Sequence, residues 1–580
     1  MSLLEGFPTA EETPAPHTGR GKGRARRPGP RGWPGRGGGA STYVQAPDEW
    51  RGTTVQVCGM WPFSVGSGSP MVGVPIGRNM LTGATLCCDP ISWFQRASLL
   101  SNPSAFVLGK PGLGKSTIVR RMALGLTGYG VLPLVLGDLK PDYVDLIKAV
   151  GGQVITLGRG RSHLNVLDPG EATAAAQRLT GTARTGVLAD AHGRRHAMVS
   201  SLLTIMRSAP PTDREETILD RALRVLDDRH DGVPVLRDLL RVVQEAPEDL
   251  RHVALDRGDM RRYQEITEGL EATLIGLAGG GRFGEIFSQP TSVPMRRDRP
   301  VVFDVSSIDD SEMDLQAAVL LACWSYGFGA VNVAHTLADA GLEPRRHYFV
   351  ILDELWRALR AGKGIVDRVD ALTRLNRQRG VGMAMITHTM SDLLSLPSEA
   401  DRMKARGFVE RSGMVICGGL PAAEMPLLNS AVPFSRAEQA LLIGWQDPPA
   451  FDSLAGKEAE PPGLGNFLVK VGGRPGIPVH VQLTSVERDL NDTNKLWHDV
   501  SRTGGIAEVI EDVSREDGIV DLREHETPTT LHTAPDALLD LTKDTTLAPT
   551  SALAAESAAA GGAAAGGQES GDQLFEGGQR

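Results

Sequence analysis

The segment Gly109-Lys110-Pro111-Gly112-Leu113-Gly114-Lys115-Ser116, followed by Thr117, has the residue types and spacing of a loop that binds phosphate groups. Its glycines let backbone N–H groups approach a phosphate without a clash from Cβ. The loop follows an apolar run that predicts a strand and precedes a predicted helix. We therefore predict that residues 109–117 bind ATP. Lys115 is expected to reach the β and γ phosphates, and the hydroxyl of Ser116 to ligate Mg²⁺.

Two consecutive carboxylates stand at the end of a second apolar run. Tyr348 to Leu352 predict a buried strand, and Asp353 and Glu354 follow it directly. Such a strand delivers its terminal acids to the sheet edge where a nucleotide sits. We predict that Asp353 holds Mg²⁺ through water and that Glu354 polarises the attacking water as a general base. An acidic helix start is the alternative interpretation, and the phosphate loop upstream argues against it.

A third predicted strand also ends in polar groups, at Thr387-His388-Thr389. We predict that His388 senses the γ phosphate through a hydrogen bond, with Thr387 and Thr389 as alternative donors. A plain surface strand end is the competing interpretation.

The basic run Arg374-Leu375-Asn376-Arg377-Gln378-Arg379 lies just before that strand. In ring-forming motors an arginine from one subunit enters the neighbouring site and stabilises transition-state charge. Arg377 or Arg379 is the predicted residue of this kind. For either one alone, a solvated basic helix end is the alternative.

The predicted elements that position these residues are short apolar runs, which alternate along the chain with helical stretches. The further candidate strands are Ala105–Leu108, Leu132–Leu136, Val154–Leu157, Val301–Val305, Met383–Thr387 and Met414–Cys417. This alternation predicts an α/β fold with a mainly parallel sheet covered on both faces. Leu315 to Ala334 is uncharged and long enough to span a membrane, but its polar residues and glycines favour a buried core helix.

Composition divides the chain into segments. We predict a disordered basic Gly/Pro/Arg-rich arm (1–45), a small lead-in (46–100), the first part of an ATPase domain (101–168), an all-helical insertion (169–285), the second part of the ATPase domain (286–498) and a flexible tail, acidic and then Ala/Gly-rich (499–580). The basic arm either touches nucleic acid or anionic lipid, or is a solvated tail without a specific role.

Charge and cysteine content narrow the class of protein. The 580 residues carry a net charge of −9, which argues against a protein that coats nucleic acid non-specifically. The five cysteines form no C-x-x-C pair and are odd in number, which favours a reducing compartment. The N-terminus lacks the apolar stretch of a signal peptide, so we expect a cytoplasmic location.

Several passages, in order, resemble one family. They are Gly137–Tyr143, similar to its D-P-K-G-E-Y motif, Asn165–Asp168, similar to N-P-x-D, Arg282–Phe287, similar to the exit from its helical subdomain, Asp353–Trp356, similar to its D-E-A-W box, and Thr387-His388, where it usually has Thr-Gln. From about Pro75 to Leu496 the chain resembles the motor domain of bacterial conjugative type IV secretion ATPases of the TraC/TrbE kind. These belong to the HerA/FtsK branch of RecA-like P-loop NTPases.

The resemblance implies an ATP-hydrolysing motor with a RecA-like fold. It implies a homo-oligomeric ring, expected to be a hexamer, at the inner face of the cell membrane. Membrane-embedded channel proteins are the implied partners, and DNA is a further one, directly or through a relaxase. The family's large N-terminal domain is expected to be absent here or reduced to 46–100. Pro141-Asp142 replaces Gly-Glu, and His388 replaces Gln.

Two other functions remain open at this stage. One is a DNA translocase or coupling protein that acts directly on DNA. The other is a nucleotide-binding scaffold with little turnover, which the joint presence of Lys115, Ser116, Asp353 and Glu354 argues against.

Overall fold

A computed structural model describes residues 70–360, 365–374, 380–396, 398–449, 451–452, 457–458 and 460–490. Its strands are β1 (Pro75–Asn79), β2 (Thr85–Cys87), β3 (Ser104–Leu108), β4 (Val131–Asp138), β5 (Gln153–Thr156), β6 (Val301–Asp304), β7 (His347–Leu352), β8 (Val381–Ile386), β9 (Met414–Cys417), β10 (Phe451–Asp452), β11 (Lys457–Glu458), β12 (Asn466–Lys470) and β13 (Ile477–Val481). All but β10 and β11, which pair with each other, form an 11-stranded sheet of order β2-β1-β13-β12-β9-β3-β8-β7-β4-β6-β5.

The half of the sheet from β9 to β5 is parallel throughout. Alternate residues of its strands enter two separate cores. In β3, for example, Phe106 and Leu108 join the core on one face, and Ala105 and Val107 join the core on the other. Burial on both faces explains why these strands are continuous apolar runs. The predicted α/β fold with a mainly parallel sheet is confirmed.

The other half of the sheet, β12, β13, β1 and β2, is antiparallel and was not predicted. Its strands carry weak signals, because β1 contains Gly77 and Arg78, and β13 contains Pro478 and His480. Gly77 is required by the pairing, since a Cβ there would lie 1.9 Å from the carbonyl oxygen of His480. The antiparallel half of the sheet therefore depends on close packing between strands, which a local sequence pattern does not reveal.

Helices connect and cover the strands. They are α1 (Pro90–Gln95), α2 (Lys115–Gly128), α3 (Val144–Ala149), α4 (Ala172–Arg178), α5 (Gly181–Arg207), α6 (Asp213–Arg229), α7 (Leu236–Glu245), α8 (Glu248–Ala254), α9 (Met260–Ala278), α10 (Gly284–Phe287), α11 (Met313–Asp339), α12 (Leu355–Leu359), α13 (Ile365–Arg374), α14 (Met390–Leu394), α15 (Glu399–Arg411), α16 (Met425–Ala431), α17 (Arg436–Gly444) and α18 (Ser485–Leu490). A short 3₁₀ turn (Ala422–Glu424) precedes α16. Between β5 and β6 the regular elements are all helices, α4 to α10. The boundaries 169–285 of the helical insertion stay a prediction.

Among the described residues, α11 is the one helix long and apolar enough to cross a membrane. Burial inside the protein covers 78% of its apolar window, and Cys323 and Trp324 are fully buried. Gly327 lets the helix lie against β4, because a Cβ there would be 2.4 Å from Leu136 Cδ2. The helix therefore packs as a core element. The described cysteines, Cys87, Cys88, Cys323 and Cys417, are likewise buried free thiols.

An ion network around Glu343 ties the loop between α11 and β7 to other parts of the chain. The Glu343 carboxylate accepts hydrogen bonds from Arg178 (2.8 Å), Arg297 (2.9 Å) and Arg346 (2.9 Å). Arg297 also pairs with Glu171, next to α4. Burial opposes ionisation of Glu343, but the three arginines outweigh it and lower its pKa to about 2. The network thus joins α4 to the segments that precede β6 and β7.

Replacing Glu343 with Gln is expected to destabilise the protein by up to about 3 kcal/mol at pH 7, because its arginines lose their charged partner. A carboxylate with a lowered pKa adds stability that is complete above its usual value of 4.5 and is lost as the pH falls towards 2. The difference between variant and parent should therefore shrink on acidification. Urea unfolding at pH 7 and pH 3 measures this. Glu268→Gln, on the exposed face of α9, is the control, and an equal cost for both variants would contradict the prediction.

Candidate active site

The predicted phosphate loop runs from the end of β3 to the start of α2. Its conformation needs glycine, because Gly112 (φ 81°) and Gly114 (φ 95°) occupy the left-handed region. Gly114 is the residue that precedes α2, and Lys115 and Ser116 lie in the first turn of that helix. The free N–H groups of a helix start, together with the helix dipole, favour an anion at this point.

Backbone hydrogen bonds fasten the loop to the ends of neighbouring strands. They run from Gly109 N to His388 O (3.0 Å), from Lys110 N to Gly419 O (2.9 Å) and from Gly465 N to Leu113 O (3.1 Å). Gly109 also lies close to the chain after β9, since a Cβ there would be 3.2 Å from Gly418 Cα. The loop is therefore held in shape before any ligand enters.

Lys115 places its ammonium group inside the loop. The side chain is buried, and Nζ donates to the carbonyl oxygens of Gly109 (2.7 Å) and Lys110 (3.2 Å). Burial lowers the pKa of Lys115 to about 8, and the negative charges of Asp353 and Glu354 limit the fall. A desolvated cation in such a cradle is well suited to a phosphate oxygen.

Asp353, at the end of β7, is partly buried and hydrogen-bonded at both oxygens. The hydroxyl of Tyr143 donates to Oδ2 (3.0 Å), and the backbone N–H of Glu354 donates to Oδ1 (2.8 Å). Burial and then the adjacent Glu354 raise the pKa of Asp353 to about 6. A raised carboxyl pKa means that the negative charge is under-compensated. A divalent cation would supply the missing charge, so the residues present fit Mg²⁺.

Glu354 is held by three donors from three parts of the chain. Trp356 Nε1 lies 2.6 Å and His388 Nε2 3.3 Å from Oε2, and Lys140 Nζ lies 3.2 Å from Oε1. Burial opposes its ionisation, but His388, Lys140 and Trp356 outweigh that effect and lower the pKa of Glu354 to about 2. Its backbone is left-handed (φ 50°), a conformation that costs energy for a residue other than glycine. The carboxylate is therefore ionised and closely oriented.

The loop after β4 supplies two contacts to the acids that the sequence did not predict, from Lys140 to Glu354 and from Tyr143 to Asp353. Asp138 accepts the N–H groups of Asp142 (3.1 Å) and Tyr143 (2.8 Å), and Arg120 of α2 donates to the Asp142 carbonyl (2.5 Å). These hydrogen bonds hold the loop in a conformation that places Lys140 against Glu354 and Tyr143 against Asp353. The contacts follow from strand order, because β4 and β7 are neighbours and their ends share one edge, and no local sequence pattern reveals that order. The loop that contains Pro141-Asp142 contacts both acids through Lys140 and Tyr143.

The three candidate γ-phosphate sensors differ in their surroundings. His388 contacts Glu354 and is partly exposed. The Thr387 hydroxyl is buried and has no hydrogen-bond partner in the part of the chain that the structure describes. The Thr389 side chain caps α14 through Asp392. Thr389 is therefore engaged in capping, and the role of His388, or of Thr387, as γ-phosphate sensor stays a prediction.

Thr117 follows Ser116 in the first turn of α2. Arg377 and Arg379 lie outside the described residues, so their proposed role stays a prediction.

No family model matches the sequence, and no curated protein matches it. The structure of VirB4 of Thermoanaerobacter pseudethanolicus is similar, with a TM-score of 0.53 and 18% identity over 73% of this chain and 100% of that one. The plasmid coupling protein TrwB in complex with ADP and Mg²⁺ aligns with a TM-score of 0.42 and 13% identity over 70% of this chain and 90% of that one. The VirB4 likeness shows the fold: this chain shares the α/β fold of that structure, as the sequence resemblance implied.

Asp353→Asn is expected to stabilise the nucleotide-free protein at pH 8 by up to about 3 kcal/mol. For an acid whose pKa is raised from 3.8 to about 6, ionisation costs stability as the pH rises through 6, and costs nothing below about 4. The gain should therefore vanish at pH 4. The Tyr143 hydroxyl can turn to accept from the new amide.

Urea unfolding without nucleotide or Mg²⁺, at pH 8 and pH 4, measures this gain. Asp231→Asn, in an exposed position after α6, is the matched control. A variant that is no more stable than the parent at pH 8 would show that the site does not strain Asp353.

Proposed function

We propose that this chain is an ATP-hydrolysing motor that energises a conjugation or type IV-like secretion apparatus. One observation carries the proposal: a phosphate loop with a buried lysine and two consecutive, hydrogen-bonded acids share one sheet edge. Structural stabilisation alone does not need such an arrangement, whereas phosphoryl transfer needs each part of it.

The proposed chemistry assigns a role to each group. The amides of residues 109–117, Lys115 and the start of α2 bind the β and γ phosphates. Ser116 through its hydroxyl, and Asp353 through a water molecule, would hold Mg²⁺, which would supply charge that neutralises phosphate oxygens.

Glu354 is proposed to orient the attacking water. The water oxygen bonds to the γ phosphorus as the bond from that phosphorus to the bridging oxygen breaks, which releases ADP. The water proton passes to the Glu354 carboxylate. Because Trp356, His388 and Lys140 hold this carboxylate, it is oriented towards its role before ATP binds.

His388 is proposed to sense the γ phosphate. Its carbonyl accepts the N–H of Gly109 in the phosphate loop, and its ring contacts Glu354. One residue thus touches both halves of the site. Arg377 or Arg379 is proposed to enter the neighbouring site in a homo-oligomeric ring, a hexamer.

The proposed setting is cytoplasmic, at the inner face of the membrane through partners. Membrane-embedded channel proteins are the proposed docking partners, and DNA is a further one, directly or through a relaxase. The VirB4 fold and the ordered sequence passages support this setting. The buried packing of α11 is consistent with peripheral attachment.

Glu354→Gln is expected to lower kcat at least about 100-fold while nucleotide affinity stays close to that of the parent. Lys115→Ala is expected to remove nucleotide binding itself, because the phosphate loses its buried cation. Phosphate release and binding of a fluorescent nucleotide measure the two effects. Unchanged turnover in Glu354→Gln would refute the assigned role of that residue.

A DNA translocase acting directly on DNA is the second candidate, and stimulation by DNA separates it from the first. A motor that works through channel proteins is expected to hydrolyse ATP at the same rate with and without DNA. ATPase assays with single- and double-stranded DNA, at two salt concentrations, test this. Strong, salt-sensitive stimulation of the purified protein would favour the translocase.

A further inference from the structure

Trp356 lies in the first turn of α12, directly after the two acids. Its indole N–H donates to Glu354 Oε2 at 2.6 Å, the shortest of the three donor contacts to that carboxylate. A hydrogen bond of this length to an ionised acceptor is a strong, directional restraint. The contact therefore sets where Oε2 lies.

The indole ring is itself held from several sides. The guanidinium carbons of Arg357 and Arg360 lie 5.2 Å and 4.7 Å from the ring centroid, and the His388 ring lies 6.4 Å away. Cations over an indole face are attracted by its π electrons. The two arginines therefore hold the ring through contacts that do not involve Glu354.

Both arginines are anchored to other elements. Arg357 donates to Asp310 (2.8 Å) and to the buried Gln316 of α11 (2.5 Å), and Arg360 donates to Ser395 (3.0 Å), which ends α14. The orientation of the indole is therefore set by α11 and α14, which lie outside the phosphate loop.

The two carboxylate oxygens of Glu354 are consequently unequal. Oε2 faces Trp356 and His388, and Oε1 faces Lys140, whose side chain is 56% exposed. An exposed lysine holds its partner weakly, because solvent competes for the ammonium group. Oε1 is thus the more weakly restrained of the two oxygens, and its partner is exposed to solvent.

We propose that Trp356 is a positioning residue that holds Glu354 through Oε2 and so directs Oε1 at the attacking water. This inference rests on the proposed ATPase function. It identifies Oε1 as the oxygen that accepts the proton and Trp356 as the side chain that orients the carboxylate. Without the indole N–H, the Glu354 carboxylate can rotate, so that Oε1 no longer points at the attacking water. Substrate binding does not involve the indole and should be unaffected.

Trp356→Phe tests the proposal, because phenylalanine keeps an aromatic ring beside Arg357 and Arg360 and removes the N–H. We expect kcat to fall about tenfold, with KM for ATP and the affinity for ADP unchanged. Trp324→Phe is the matched control. Trp324 is buried in α11, and its N–H has no hydrogen-bond partner among the described residues, so that replacement should leave kcat unchanged.

A double variant separates positioning from a general structural effect. In the Glu354→Gln background, single-turnover rates at excess protein should fall no further when Trp356→Phe is added, because the carboxylate is already gone. The proposal is overturned by an unchanged kcat in Trp356→Phe, by a loss shared equally with nucleotide affinity, or by a full additional loss in the Gln background. If Glu354→Gln itself keeps full turnover, the proposed function fails first. An inactive Glu354→Gln beside a fully active Trp356→Phe rejects the positioning role alone.

Discussion

The site depends on one electrostatic constraint: the carboxylates of Asp353 and Glu354 and the buried ammonium group of Lys115 lie near one another with little exposure to solvent. Burial, and then the charge of Glu354, raises the pKa of Asp353 to about 6, whereas His388, Lys140 and Trp356 outweigh burial and lower the pKa of Glu354 to about 2. The separation follows from their partners. Asp353 receives a neutral hydroxyl and an amide, whereas Glu354 receives a lysine, a histidine and an indole N–H. One acid is left short of positive charge, and the other is fully compensated.

This difference in charge compensation suits the two acids to the two different roles proposed for them. A carboxylate short of positive charge gains most from a cation, which suits Asp353 to the neighbourhood of Mg²⁺. A compensated and oriented carboxylate gains little from a cation and can hold a water molecule instead. The parallel sheet makes this possible, because β3, β7 and β8 end at the same edge while β4 contributes the loop beside them.

The sequence was sufficient for the local parts of this site and insufficient for its long-range contacts. The glycine pattern of residues 109–117 and the apolar run before Asp353 specify a loop and a strand end without any tertiary information. Tyr143 and Asp353, by contrast, are separated by 210 residues. Their contact follows from β4 lying beside β7, and strand order is a global property of the fold. The same reason applies to β13, whose sequence contains Pro478 and His480 and which becomes a strand by pairing with β1 and β12.

The two halves of the site are also joined mechanically. Helix α2 carries Lys115 at its start, and one turn further along it carries the buried Arg120, which donates to the carbonyl of Asp142. Asp142 belongs to the loop that brings Lys140 and Tyr143 to the acids. A displacement of α2 therefore shifts the donors of both carboxylates, because a packed core transmits such movements rather than absorbing them. Substitutions in the phosphate loop and in the loop after β4 should consequently not be additive, although no residue of one loop needs to touch the other.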